Sequence, residues 1–247
     1  MLLAVEIEFR FRRLSGTIAI FVKTPGLSPV KTRLAFKIGQ EKAEAFHLSS
    51  SRSVSAIVQA VSKLNDVQSY YAVAEEEAIT HDYWQNFPCV WQKEGGLGER
   101  MAHVYQELLS KHDFVILVGA DIPQMTVREL QKALTWLSQK DQTRLVFAPS
   151  EDGGFWLVGG NCKIPHSIWN SVKYSQADTG KQFFNKIKKL GRVKTLATLR
   201  DVDELDDLIL LRKTLLDLSE PILEQQELGL FISSCLMLRL IGVKDTS

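Results

Sequence analysis

The sequence has 247 residues, enough for one α/β domain with a sizeable core or for two small domains. Its 45% hydrophobic and 24% charged residues are typical of a globular protein, and a net charge of +1 gives no electrostatic reason to expect a nucleic-acid partner. Three widely spaced cysteines, Cys89, Cys162 and Cys235, argue against a disulfide framework or a zinc site. They predict reduced thiols in a cytoplasmic protein.

Strand and helix patterns alternate along the chain, which predicts one doubly wound, mostly parallel α/β sheet. Strands are predicted at residues 17–23, 69–75, 88–92, 114–118, 144–150, 155–160 and 192–197. Helices are predicted at residues 40–64, 97–111, 127–139, 178–190 and 205–218. The domain would cover residues 17–218, after an N-terminal arm of residues 1–16 and before a C-terminal helical extension of residues 219–247.

The first predicted strand ends at a basic loop. Residues 24–29 include two prolines and a glycine, and Lys23, Lys31 and Arg33 surround them. A cationic loop after the first strand of an α/β sheet commonly holds phosphate groups, and lysine and arginine together suit a diphosphate. The alternative is a solvated basic loop, and the phosphate-binding pattern G-x-x-x-x-G-K-[ST] is absent.

Three glycines, Gly95, Gly96 and Gly98, lie at the start of the helix predicted at residues 97–111. Glycines let a ligand approach the backbone closely, and Arg100 could then face that ligand. A plain helix N-terminus explains the same pattern equally well.

The run from Val115 to Thr126 carries an aspartate just past a short apolar strand. Such a strand is typical of the buried centre of a sheet, and ligands of open α/β sheets bind beyond the carboxyl ends of their strands. Asp121 is therefore a candidate for holding a divalent metal over a phosphorylated substrate. The alternative is that Asp121 only caps the following helix, for which Thr126 and Glu129 form a capping-box pattern.

Two further acidic segments follow strands. Glu151 and Asp152 precede two glycines at a strand end, which favours contact with a substrate or metal, or else a simple Asp-Gly turn. Residues 201–208 contain five acids, and some of these stabilise the N-terminus of the next helix. Asp201 and Asp203 lie before that helix, so Asp203 is a candidate partner of Asp121 in a Mg²⁺ or Mn²⁺ site.

The ends of the chain differ from its middle. Residues 1–16 carry five charged side chains and no long apolar run, which argues against a signal peptide. The apolar segment from Leu228 to Gly242 is interrupted by Arg239 and is shorter than the ~20 residues that span a bilayer. We predict no transmembrane segment but a helix packed on the domain or on a second subunit of a homodimer, with peripheral membrane contact as the alternative.

Taken in order, these motifs resemble a family of nucleotide-diphospho-sugar transferases that includes arsenosugar-biosynthesis glycosyltransferases. The resemblance covers about residues 17–218 and rests on five motifs. These are Lys23 with VKTRL (30–34), GLGERM (96–101), VGADIP (118–123), EDGGFWLVG (151–159) and DVDELDDL (201–208). It implies the GT-A type fold. The chain departs from the family at residues 27–29 and at residues 174–176, where members commonly carry Pro-Gly and Trp-Ser-Thr.

The resemblance also implies residue roles. Lys23, Lys31 and Arg33 would face the nucleotide phosphates, with Gly98 and Arg100 near the nucleotide. Asp121 would bind the metal, and Asp203 matches a position that often adds a second metal contact. Asp152 would lie near the transferred sugar or the acceptor.

These expectations lead to three hypotheses. The first is a glycosyltransferase that uses Mg²⁺ or Mn²⁺, a nucleoside-diphosphate sugar and an unknown acceptor, with Asp152 or Glu151 as the base. The second is a nucleotidyltransferase that joins a nucleoside triphosphate to a phosphorylated acceptor, because the basic loop and VGADIP also resemble those of phospholactate guanylyltransferases. The third is a non-catalytic nucleotide-binding scaffold whose apolar tail binds a partner.

Overall fold

A computed structural model describes residues 15–65, 67–139 and 141–240. Most of the predicted N-terminal arm, residues 1–14, lies outside the described residues, as do the last two residues of the apolar segment that ends at Gly242.

The described residues form seven strands, eight α-helices and two short 3₁₀ helices. The strands are β1 (Gly16–Val22), β2 (Val67–Val73), β3 (Cys89–Trp91), β4 (Phe114–Gly119), β5 (Arg144–Pro149), β6 (Phe155–Gly160) and β7 (Arg192–Thr195). The α-helices are α1 (Thr32–Ile38), α2 (Gln40–Asn65), α3 (Leu97–Leu109), α4 (Val127–Leu137), α5 (His166–Asn170), α6 (Thr179–Ile187), α7 (Leu205–Leu216) and α8 (Leu223–Leu240). The 3₁₀ helices are Glu76–Thr80 and Asp82–Trp84.

The strands form one sheet in the order β3-β2-β1-β4-β6-β5-β7. All neighbouring pairs are parallel except those of β6, which runs antiparallel to β4 and β5. Apolar clusters pack on both faces of this sheet, and β4 is buried from Phe114 to Val118. The predicted doubly wound, mostly parallel sheet with C-terminal helices is confirmed.

The sheet order explains why the basic loop and Asp121 meet. Strands β1 and β4 are parallel neighbours, with Phe21 opposite Gly119, so their carboxyl ends lie at the same edge. The chain after β4 is also fixed, because the Ser50 hydroxyl donates to the Ala120 carbonyl at 2.7 Å. The two candidate motifs are thus adjacent in space although about 90 residues separate Lys31 from Asp121.

Four short helices were not predicted from the sequence. Helices α1 and α5 and the two 3₁₀ helices are each at most seven residues long, too short for a helical hydrophobic period to be read. The predicted cap of α4 is half present. The Thr126 hydroxyl accepts from the Glu129 amide, but the Glu129 carboxylate accepts from that hydroxyl rather than from the Thr126 backbone.

Helix α8 packs on α2 and α7. Leu228 and Ile232 are buried in a cluster with Phe46 of α2 and Leu211 of α7. None of the helices in the described part of the chain combines the length and apolarity that crossing a bilayer requires. The exposed Leu223, Leu230 and Met237 leave dimer or membrane contact as predictions.

Gln225 connects α8 to the loop after Asp121. Its side chain is 2% exposed, and its amide donates to the carbonyls of Pro123 at 2.7 Å and Met125 at 2.9 Å. We expect Gln225→Ala to lower the free energy of unfolding by about 2–4 kcal/mol, because two buried carbonyls lose their donor.

Urea unfolding measures this loss, with Gln226→Ala as the matched control. Gln226 is the exposed neighbour on the same helix, and its replacement should cost less than about 0.5 kcal/mol. Equal losses in the two variants would show that Gln225 does not anchor the loop.

Candidate functional site

The candidate site is a cleft of about 370 Å³ at the carboxyl edge of the sheet. Its walls come from the ends of β1 and β4, from β6 and from the start of α3. Lys23, Lys31, His47, Asp121 and Asp203 are its charged or titratable lining residues within the described chain. The cleft therefore collects both lysines and both aspartates that the sequence indicated for phosphate and metal.

Lys31 lies between the two aspartates. Its ammonium nitrogen is 3.0 Å from Asp121 Oδ2 and 3.1 Å from Asp203 Oδ1. The Lys31 side chain is 4% exposed, whereas the two carboxylates are 43% and 49% exposed. Lys31 adopts the left-handed conformation, with φ of 46°, just before α1. For a non-glycine residue this conformation costs roughly 1–2 kcal/mol, a strain that often accompanies functional positions.

Mutual attraction keeps this cluster charged. Burial alone would lower the pKa of Lys31, but Asp121 and Asp203 outweigh burial and hold that pKa above its ordinary value. Burial alone would raise the pKa of Asp121, but the positive charges of Lys31 and Lys23 hold it below its usual range. The Lys31 ammonium is therefore held by Asp121 and Asp203 together.

His47 of α2 is a site residue that the sequence did not reveal. Its Nε2 lies 2.9 Å from the Lys23 carbonyl oxygen, so Nε2 carries the proton and donates it. Burial lowers the pKa of His47, which leaves Nδ1 as an unprotonated acceptor. Nδ1 is buried without a hydrogen-bond partner and lies 3.9 Å from Asp121 Oδ1. It is thus a free lone pair at the candidate metal position.

The donor set fits a hard divalent cation. Asp121 and Asp203 already share the Lys31 ammonium, and His47 Nδ1, 3.9 Å from Asp121, would offer a nitrogen donor of the kind that transition metals accept. Across the described ranges, no three His, Cys, Asp or Glu side chains form a complete metal cluster. Mg²⁺ and related ions often take only one or two protein carboxylates and obtain the remaining ligands from substrate phosphates and water.

A second cavity of about 280 Å³ adjoins the cleft and shares six lining residues with it, which are Leu97, Met101, Gly119, Asp121, Phe155 and Trp156. Asp152 and Asp201 line this cavity, together with Tyr174, Ser175 and Gln176 from the loop before α6. Burial, with the nearby charges of Asp152 and Asp203, raises the pKa of Asp201 to about 6. Residues 174–176, where the chain departs from the Trp-Ser-Thr that the family commonly carries, thus line this cavity.

The Asp-Gly-Gly turn before β6 shapes this second cavity. Asp152 Oδ1 accepts from the Ser150 hydroxyl and from the Gly154 amide, which fixes the carboxylate. Gly153 has φ of 89°, and a Cβ there would lie 1.8 Å from the Ala177 carbonyl oxygen. This glycine is thus needed for the turn and for close packing against the 174–177 loop.

Four predicted site residues do not line either cavity. Arg33 is exposed on α1, and the Arg100 side chain donates to the Gly95 carbonyl. Gly98 lies against Tyr174 and the Trp169 carbonyl, so its small size serves packing of α3. Glu151 pairs with the Arg200 guanidinium.

The fold is that of the GT-A type nucleotide-diphospho-sugar transferases. The chain belongs to the DUF2064 family, described as "Uncharacterized protein conserved in bacteria", whose model matches residues 30–176. That span contains Lys31, Asp121 and Asp152, whereas Lys23 and Asp203 lie outside it. The search of curated proteins gave no match.

Two solved structures are similar in fold. A "putative nucleotide-diphospho-sugar transferase" from Desulfovibrio desulfuricans G20 is 24% identical, with a TM-score of 0.75 over 89% of this chain and 97% of that one. The 4-diphosphocytidyl-2C-methyl-D-erythritol synthase of Anaerococcus prevotii DSM 20548 is 12% identical, with a TM-score of 0.51 over 80% and 96%. These likenesses confirm the predicted fold, and they do not identify the reaction.

Proposed function

We propose that this protein is a glycosyltransferase that uses a nucleoside-diphosphate sugar. The observation that carries the proposal is the Asp121–Lys31–Asp203 cluster, which lies where the cleft meets a second cavity. A transferase needs a place for a diphosphate, an adjoining place for an acceptor and a cation where they meet, and the two carboxylates of this cluster would hold such a metal ion.

The cleft would hold the donor. Lys23 lies exposed at its wall, and Lys31 lies inside it, so both can face the phosphates. Asp121 and Asp203 would hold Mg²⁺ or Mn²⁺, and His47 Nδ1 lies close enough to add a ligand. When bound, the metal acts as a Lewis acid that neutralises negative charge on the leaving nucleoside diphosphate.

The second cavity would hold the acceptor. In the transfer, the acceptor oxygen forms a bond to the anomeric carbon while the bond from that carbon to the phosphate oxygen breaks. The electron pair leaves with the nucleoside diphosphate, and Lys23 and Lys31 stabilise its charge. The acceptor hydroxyl loses its proton to a carboxylate, for which Asp152 and Asp201 are placed in this cavity.

The position of the C-terminal extension favours the enzyme hypotheses over the scaffold hypothesis. Its apolar residues Leu228 and Ile232 are buried against α2 and α7, and Gln225 holds the loop that follows Asp121. The buried face of the extension therefore supports the candidate site, and a partner would have to use its exposed residues Leu223, Leu230 and Met237 instead.

A thermal-shift screen of the full chain tests the proposal. The ligands are nucleoside di- and triphosphates and sugar nucleotides, each with and without Mn²⁺. A ligand at ~100 times its dissociation constant adds roughly 2.7 kcal/mol to stability, so we expect a clear Mn²⁺-dependent shift with one sugar nucleotide. A shift with a triphosphate alone, followed by pyrophosphate release, would establish the nucleotidyltransferase instead. No shift with any ligand would refute both enzymes.

A further inference from the structure

The second cavity is negatively charged. Three of its lining residues, Asp121, Asp152 and Asp201, are acidic, and no lysine, arginine or histidine is found among the described residues that line it. The donor cleft beside it differs, because Lys23 and Lys31 line that one. The two cavities thus share an edge at Asp121 but differ in charge, because the donor cleft combines two lysines with two aspartates and the second cavity has acidic residues alone.

Two cations close to the lining aspartates are paired with acids outside or at the edge of this cavity. The Lys31 ammonium is held between Asp121 and Asp203 on the side of the donor cleft. The Arg200 guanidinium, next in sequence to Asp201, pairs with Glu151 and Asp207. An anionic ligand in the second cavity would therefore meet Asp152 and Asp201 without a counter-ion.

The remaining wall suits a hydroxylated molecule. Phe155, Leu97 and Met101 provide apolar surface for C–H groups, while Ser175 and Gln176 are exposed polar side chains. Carboxylates only accept hydrogen bonds, so they bind ligands that donate, such as hydroxyl or ammonium groups. Charge-assisted bonds of this kind are among the strongest available to a polyol.

We propose that the second cavity binds an acceptor that carries hydroxyl or amino groups and neither a phosphate nor a carboxylate. This inference rests on the proposed function and names the class of its second substrate. A phosphorylated acceptor, which the nucleotidyltransferase hypothesis requires, would be repelled by the exposed Asp152 and, more strongly, by the half-buried Asp201.

Matched acceptor pairs test the inference. The full chain, with Mn²⁺ and the sugar nucleotide that gives the largest thermal shift, is assayed for nucleoside diphosphate release. The pairs are glycerol with glycerol 3-phosphate, and glucose or glucosamine with glucose 6-phosphate. We expect the uncharged or amino member to be at least about tenfold faster than its phosphorylated partner. Faster release with the phosphorylated member would overturn the inference.

A charge added to the cavity sharpens the test. Gln176→Lys places a cation on the cavity wall, so it should reduce the preference for the uncharged member several-fold. Gln59→Lys adds the same charge on α2, outside both cavities, and should leave the preference unchanged. An equal preference in both variants would refute the electrostatic basis of the selection.

A donor-free measurement separates this inference from the proposed function. If no sugar nucleotide shifts the melting temperature, glucosamine and glucose 6-phosphate are titrated into ¹⁵N-labelled protein. The inference requires that glucosamine perturb the amides of Gly154, Ser175 and Gln176 more than glucose 6-phosphate does. The reverse order would overturn it, whatever becomes of the donor.

Discussion

Asp121→Asn is expected to abolish Mn²⁺-dependent nucleotide binding while the protein stays folded. Asp121 contacts Lys31 at 3.0 Å and lies 3.9 Å from the free His47 Nδ1, so its charge is central to the candidate metal position. Losing one of the two carboxylates that would hold the metal should weaken Mn²⁺-dependent binding by about 30-fold or more, which corresponds to about 2 kcal/mol.

The fold should tolerate this substitution. Asn has nearly the same shape, and Lys31 keeps Asp203 at 3.1 Å. Since the Asp121 side chain is 43% exposed, we expect a loss of unfolding free energy of about 1 kcal/mol or less. Calorimetric titration of nucleotide with Mn²⁺ measures binding, and Asp206→Asn is the matched control, because Asp206 is exposed in the first turn of α7. Unchanged affinity in Asp121→Asn would remove Asp121 from the site.

Lys31→Met is expected to change metal and nucleotide binding in opposite directions. The ammonium of Lys31 neutralises Asp121 and Asp203, and it therefore competes with any divalent cation for the same oxygens. Without it, two neighbouring carboxylates lose their counter-ion, so Mn²⁺ alone should bind at least about tenfold more tightly. Nucleotide affinity should fall by about tenfold, since one phosphate-binding cation is gone.

The paramagnetic resonance signal of free Mn²⁺ measures both effects, in the absence and presence of a nucleoside diphosphate. Methionine keeps the length of the apolar stem, and Lys37→Met controls for the loss of one positive charge from the same helix. If Lys31→Met weakened Mn²⁺ binding, the ammonium would not be a competitor of the metal. The cluster would then be an ion pair that supports structure alone.

The sequence by itself determined the elements of the sheet and the order of the motifs. The apolar run at residues 114–118 predicted β4, because a strand that is buried on both faces of a sheet has apolar side chains at consecutive positions. The end of β4 then fixed where Asp121 lies, since parallel strands bring their carboxyl ends to one edge. The basic residues Lys23 and Lys31 were placed by the same argument, and both line the cleft.

Only the tertiary structure decided how those residues are paired. Lys31 and Asp203 are 172 positions apart, and their contact depends on α1, whose seven residues gave no readable period. The sequence around His47 is that of an ordinary helix. Its Nδ1 is left without a partner because the other ring nitrogen, Nε2, donates to the Lys23 carbonyl, which lies outside that helix. Arg33, two residues beyond Lys31, lies exposed outside the cleft because the helix turns it away. Sequence patterns report burial within one element, whereas charge pairing depends on distances between elements that only packing sets.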